Sequence, residues 1–363
     1  MTLFKNIFIY VSVCLLTIGC GVKNQHKNDI ISAPHLLAAQ AGKAIFSIGG
    51  NAFDAAVASA FTLSVVEPSM SGIGGRLQSI YKTADGNIAG VDATTQVPLS
   101  YNSENISSES YGYKTIGIPG VVAGLIKLHE EHGVLDLKTV MAPSIRYAEE
   151  GYMILTGEAK RQASVKNIIE SFDGTKLYFL NSEGNSFMPG DIVFQKDLAN
   201  TLRSISENGK AGFYEGEVAE KIVNDIQSNG GLITLEDLKN YLALDSKVLT
   251  GNFKGYDIHS LYLPSYGAIT IQILQILDNL KIESEKEWAI KISTASKRAF
   301  EYRYHQNNPD SLKSILSYDN AMEIANEINN DNSLFSLNNK SDKTLSSDLA
   351  IGHTAHLTAA DQE

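Results

Sequence analysis

The closing residues Thr354-Ala355-His356-Leu357-Thr358-Ala359-Ala360-Asp361-Gln362-Glu363 hold the side chains of this chain best suited to covalent chemistry. Ala355, Leu357 and Ala359 alternate with Thr354, His356 and Thr358, the period-two pattern of a half-buried strand. A threonine hydroxyl inside a chain is a weak nucleophile. If the bond between His353 and Thr354 is cut, the freed α-amine lies beside the hydroxyl and can take its proton. Thr354 is therefore the candidate catalytic residue, with its own amine as general base. The same Thr-x-His-Leu-Thr run equally suits an ordinary β-branched strand, so the rest of the chain has to decide.

Other constellations carry less. In His129-Glu130-Glu131-His132 the histidines are three apart, whereas a zincin helix needs four and a third ligand. A solvated helix end is the expectation there, and no metal is implied. Ser71-Gly72-Ile73-Gly74-Gly75 follows a helix rather than a strand and lacks Gly-Lys-Ser/Thr, so it reads as a tight turn instead of a phosphate loop. No organic cofactor is implied either. A formal charge of −11 without a basic cluster argues against nucleic acid as a partner.

The elements that must position Thr354 begin with a helix over about 34–47, with Ser32 as its cap, Pro34 in its first turn and Gly49-Gly50 at its end. Asn51 then caps a second helix with Asp54 at its positive end. Ala52, Ala55, Ala56, Ala58, Ser59 and Ala60 leave that helix slim enough for the interior, and Glu67-Pro68 stops it. Strands are expected at Gln78–Lys82 and Ile88–Asp92, a polar loop at Tyr101–Ser110 with a formal glycosylation site at Asn105, and a helix at Val121–His132. Phe213–Glu220 leads into a helix ending near Gly230-Gly231, and Thr234 with Asp237 caps the next. Val248–Leu263 reads as a hairpin, Ile269–Leu280 as an apolar helix, and Lys297–Phe300 as part of a long one. Asn329–Ser347, rich in Asn, Ser, Asp and Lys, reads as a flexible connector.

Residues 1–20 form a signal peptide, with Lys5 before an apolar run from Ile7 to Ile18. As a helix those residues reach roughly 18 Å against a hydrocarbon core of ~30 Å, too short to span it. Leu16-Thr17-Ile18-Gly19-Cys20 resembles a bacterial lipobox, which implies a lipid on Cys20 as the membrane attachment and an exported, periplasmic or outer-membrane-anchored lipoprotein. Ordinary secretion is the alternative. Residues 21–33 would be a tether. Cys14 lies in the removed segment, so the mature chain has no intrachain disulfide.

Four strings in order, Ala39-Gln40-Ala41-Gly42, Gly49-Gly50-Asn51-Ala52-Phe53-Asp54-Ala55-Ala56-Val57-Ala58, Val65-Val66-Glu67-Pro68 and Ser71-Gly72-Ile73-Gly74-Gly75, resemble the N-terminal signature of the γ-glutamyltransferase (γ-glutamyltranspeptidase) family. Gly117-Ile118-Pro119-Gly120 and Ala142–Gly151 continue the likeness. Thr354-Ala355-His356-Leu357-Thr358 with Asp361 resembles the start of that family's small subunit. The resemblance implies a large subunit over residues 34–353 and only the beginning of a small subunit at 354–363. It also implies an α+β fold, the four-layer αββα sandwich of N-terminal-nucleophile hydrolases, incomplete because most of the small subunit is absent. The sequence reads as truncated, with the missing small-subunit segment as its partner, and poor folding and no turnover are the expectation for such a piece.

By the same resemblance, self-cleavage before Thr354 yields an enzyme that takes the acyl group of glutathione or another γ-glutamyl or peptide substrate onto the threonine. In the family an arginine of Asp-Phe/Tyr-Arg-Glu grips the substrate α-carboxylate. Here the matching run is Asp92-Ala93-Thr94-Thr95, so Thr94 stands at the arginine's position and Arg76, directly after Gly75, is the candidate replacement. Two further readings stay open: an N-terminal-nucleophile amidohydrolase or acylase of other specificity, and a noncatalytic peptide-binding lipoprotein.

Overall fold

A computed structural model describes residues 28–102, 111–331 and 354–362. The signal peptide, Cys20, Asn105, most of the connector and the bond before Thr354 lie outside them. The described chain enters as strand β1 (Ile30–Ser32), so part of the expected tether belongs to the fold. Helix α1 (Leu36–Ser47) follows. Its cap is His35, whose Nδ1 accepts from Leu37 N at 3.1 Å, and not Ser32, which pairs with Thr358 in β1. Gly49 at φ +92° reverses the chain into helix α2 (Ala52–Val66).

Asn51 and Asp54 close a reciprocal capping box at the start of α2. With small side chains on nearly every face, α2 has no wet side, and Ala55, Val57, Ala58 and Phe61 are wholly buried. Gly42 permits the close approach of α1: a Cβ there would stand 2.6 Å from Ser59 Oγ. The Ser59 hydroxyl instead donates to Ala38 O at 2.8 Å.

After Glu67 ends α2, strands β2 (Leu77–Lys82) and β3 (Ile88–Ala93) form an antiparallel pair with Leu77 opposite Ala93. Helices α3 (Val121–His132) and α4 (Leu137–Glu150) cover α2. The N-terminus of α3 sits on the glycine turn, because Gly120 N and Val121 N both donate to Gly75 O, at 2.9 and 3.2 Å. Gly120 is required for this approach: a Cβ would meet Ala93 O at 2.1 Å and the Tyr241 hydroxyl at 2.2 Å. Strand β4 (Tyr152–Met153) pairs with β5 (Ile192–Val193), and between them lie α5 (Thr156–Ser164), α6 (Lys166–Ile169) and α7 (Asp173–Phe179). Helices α8 (Lys196–Asn208), α9 (Ala211–Tyr214), α10 (Gly216–Ser228) and α11 (Leu235–Lys239) complete this core, with the Thr234–Asp237 capping box as expected. Strand β6 (Leu244–Asp245) extends the sheet in the order β2-β3-β6.

A second core follows. Strands β7 (Val248–Phe253) and β8 (Tyr256–Leu261) form a hairpin through Lys254 and Gly255 at φ +51° and +82°, the backbone sense that matches strand twist. Helix α12 (Gly267–Asp278) lies on it, packed with α13 (Glu285–Phe300), α14 (Pro309–Ile315) and α15 (Tyr318–Asn330) around Ile271, Ala295, Ala299 and Ala325. Asn329 and Asn330 are helical, not connector, and Asn329 Oδ1 accepts from Lys281 N at 3.0 Å. Strand β9 (Thr358–Ala360) returns to pair antiparallel with β1, Ile31 facing Ala359. Around it Ala355, Leu357 and Ala359 are half-buried while Thr354, His356 and Thr358 are exposed, as the alternation predicts. The strand itself is shorter than the alternation suggests, since residues 354–357 lie outside the ladder. Mixed helices and antiparallel sheets make the fold α+β. Among the described residues no helix is long and apolar enough to cross a membrane.

Candidate active site

Strand β9, the glycine turn, β2 and one side of α2 enclose a cleft of about 1660 Å³. Residues 354–362 form one wall, with Thr354 exposed toward the cleft. Arg76, Gly72, Gly74 and Gly75 also line it. Of the sequence-predicted residues, Thr354 and Arg76 thus share one cleft. Thr94 does not line it, although its neighbour Thr95 does. The Thr94 amide donates to Asp92 Oδ1 at 3.0 Å, its hydroxyl donates to the same oxygen, and its carbonyl accepts from the Tyr241 hydroxyl at 2.7 Å. Burial, with nearby Asp92, pushes the Tyr241 phenol up to about 12, so it donates throughout the neutral range.

Register relates Arg76 to Thr94. Leu77 faces Ala93 in the last pair of the β2–β3 ladder, and Arg76 and Thr94 are the next residues beyond it on the two chains. A guanidinium at 76 therefore starts from the chain segment beside the one that carries residue 94. Arg76 and Lys82 are the cationic residues of the lining apart from histidines, and Asp361 is the carboxylate. Asp361 is committed elsewhere: its Oδ2 accepts from Ala52 N, the first residue of α2, at 2.6 Å. In a chain of charge −11 the cleft is locally positive, which favours an anionic ligand.

The far end of the cleft corrects the expectation of a solvated His129–His132 end. His132 stacks on Phe53 with centroids 4.4 Å apart, and Tyr81 closes edge-on against both rings. Burial, reinforced by Glu131 and Asp245, raises the Tyr81 pKa. His129 Nε2 donates to Leu135 O at 2.9 Å and lies 3.8 Å from the fully buried Asp54. Asp54 Oδ2 also accepts from Val134 N and Leu135 N, and Asn51 Nδ2 donates to His132 O at 2.6 Å. These histidines join the end of α3 to the start of α2.

The entrance to the glycine turn is pinned by a buried ionic group that the sequence reading missed. Arg161 Nη2 donates to Glu67 Oε1 at 2.7 Å and to Glu158 Oε2 at 2.9 Å, and Arg161 Nε donates to Ser69 Oγ at 2.7 Å. Gln162 Nε2 donates to Glu158 Oε1 at 2.7 Å, and Glu158 is only 2% exposed. With Gly75 O held by α3, the turn is fixed at both ends. Arg161→Met is expected to destabilise the fold by roughly 2–3 kcal/mol, because it strands two carboxylates while Arg161 itself was partly solvated. The midpoint of urea unfolding measures this, and an unchanged midpoint would mean that the group contributes nothing net.

The α+β fold thus brings a candidate hydroxyl nucleophile, Thr354, and a cationic residue, Arg76, to the lining of one cleft. The chain belongs to the gamma-glutamyltranspeptidase family, whose model matches residues 38–363. It is 31% identical over 339 residues to a glutathione hydrolase proenzyme of Pseudomonas sp. (strain A14), covering 86% of this chain and 59% of the relative. The chain spans about half the length of other curated relatives that it matches, 46% of one and 52% of another. The Helicobacter pylori gamma-glutamyltranspeptidase structure superposes with TM-score 0.78 at 30% identity, covering 83% of this chain and 93% of that one. A cephalosporin acylase from Bacillus halodurans gives TM-score 0.76 at 25% identity, covering 92% of this chain and 65% of that one.

Proposed function

We propose that this chain is part of an exported γ-glutamyl hydrolase and transferase that becomes active by cutting itself before Thr354. In this reading the Thr354 hydroxyl attacks the γ-carbonyl of glutathione or a related amide, its own α-amine takes the proton, and an acyl-enzyme forms as the amine leaves. Water or an acceptor amine then releases the γ-glutamyl group. Arg76 holds the α-carboxylate from the residue just before β2, beyond the end of the ladder from Thr94. The single observation that carries the reading is that Thr354 and Arg76 line one cleft in a member of this family. The four-layer sandwich, the small-subunit partner and a lipid anchor on Cys20 belong to the same proposal.

The test uses protein expressed from the complete reading frame and incubated with a γ-glutamyl anilide. Release of the aniline, with hydroxylamine trapping of a γ-glutamyl intermediate, is the expected result. Protein cut before Thr354 that leaves the anilide intact would remove the γ-glutamyl assignment.

Thr94 supports a second reading, an acylase of other specificity, because its hydroxyl is tied to Asp92 and offers no cation to a carboxylate. The similarity to the cephalosporin acylase agrees with it. Turnover of an acyl amide lacking an α-carboxylate, faster than that of the γ-glutamyl anilide, would favour this reading.

A further inference from the structure

The bond from Ala52 N to Asp361 joins residues 309 positions apart, yet neither partner needs it for its local structure. Helix α2 is already capped by Asn51 and Asp54, and β9 already has its ladder with β1. What the ladder lacks is a strong determinant of register. It comprises three residue pairs. The face turned inward carries Ala355, Leu357 and Ala359, and the face turned outward carries Thr354, His356 and Thr358, but within the three ladder pairs Ala359 is the one inward residue of β9, so little apolar packing sets the register there. A slip of one residue swaps the two faces and turns Thr354 to the side that Ala355 takes here. A slip of two keeps the faces but moves Thr354 by roughly 6.6 Å along the strand. Either displacement far exceeds the ~1 Å that a reacting group tolerates.

Asp361 is the residue that cannot slip. Half-buried, it continues the inward phase two positions beyond Ala359, and its carboxylate sits on the positive end of a 15-residue helix. We infer that Asp361 is a register pin: its bond to Ala52 N fixes which residue of the last strand stands at the cleft, and so makes it a positioning residue for Thr354. This rests on the reading of Thr354 as nucleophile for its catalytic consequence, but not for its structural one. Small side chains let β9 lie close on the interior, and one charged contact sets its place.

The experiment compares D361A, D361N and A52P in protein expressed from the complete reading frame. Asparagine keeps an oxygen that can accept from Ala52 N. Proline at 52 deletes the donor while sparing the helix, since 52 is its first position and Asn51 is already extended at φ −92° and ψ −176°. D361A and A52P are expected to lower kcat about 100-fold per folded molecule, with KM within about twofold. D361N should recover most of the loss, and D361A/A52P should be no worse than either single variant. A loss confined to folded yield, or losses that multiply in the double variant, would overturn the pin.

Register is also read without turnover. I31C/A359C places cysteines at facing positions, whereas I31C/A360C is one residue out of register. Peptide mass mapping after oxidation should find the first crosslink favoured in the otherwise unaltered chain, and the second gaining several-fold when A52P is added. An unchanged crosslink ratio would sink the pin whatever the catalysis. Unaltered protein that is never cut before Thr354 would instead sink the nucleophile reading, leaving the crosslinks to judge the register.

Discussion

Thr354→Ala is expected to leave one uncut band on a denaturing gel and no measurable turnover, where the unaltered protein gives two fragments, one beginning at Thr354. The argument has two parts. Alanine removes the side-chain hydroxyl that attacks the carbonyl, and without scission there is no α-amine to act as base. Removing a covalent nucleophile commonly lowers kcat by ~10⁴ to 10⁶, which places the variant below detection in an ordinary assay. Thr354→Ser keeps a hydroxyl and is expected to retain both scission and slow turnover. The position of Thr354 makes a folding explanation easy to separate: it is exposed and outside the β1–β9 ladder, so alanine there should change the stability of the uncut chain by no more than ~0.5 kcal/mol. A Thr354→Ala protein that is still cut and still releases the anilide's amine would end the mechanism.

Local interactions were readable in the sequence, and contacts between distant segments were not. Both capping boxes could be seen because Asn51 with Asp54, and Thr234 with Asp237, are three residues apart and need no partner from elsewhere. The burial of α2 followed from its alanines, and the β7–β8 hairpin was read over Val248–Leu263, though not its turn at Lys254 and Gly255. Ser32 failed as the cap of α1 because its backbone is recruited by Thr358, a residue at the other end of the chain. His132 looked solvated because Phe53 and Tyr81, which enclose it, come from other elements. The Glu67–Arg161–Glu158 group has a local half, Glu158 and Arg161 one helical turn apart, that could have signalled an ion pair, but Glu67 and Ser69 could not be placed against it. Asp361 continues the inward phase of the strand, and a charge in phase with a buried face is the signal that could have marked it.

The γ-glutamyl reading predicts that Arg76→Ala raises KM for a γ-glutamyl anilide and lowers kcat/KM about 30- to 150-fold, with little change in kcat. A bidentate guanidinium–carboxylate contact is worth roughly 2–3 kcal/mol, and a contact made equally to substrate and transition state appears in KM. Arg76→Lys should recover only part of the loss, since an ammonium keeps the charge but not the fork. The ladder allows a sharper experiment. Because 76 and 94 are the next residues beyond the Leu77–Ala93 pair that ends the ladder, R76G/T94R moves the cation from one chain to the other, to the position where the family resemblance implies an arginine. Asp92, freed of the Thr94 hydroxyl, then becomes a ready partner to orient the new side chain. If residue 76 supplies the carboxylate grip, R76G alone is impaired and R76G/T94R regains most of the lost kcat/KM. Arg76 faces solvent with no carboxylate partner among the described residues, so its removal leaves no stranded charge and the kinetic change reports on substrate alone. Unchanged KM in Arg76→Ala would take the residue out of the site and leave the acyl group to be chosen by the rest of the cleft.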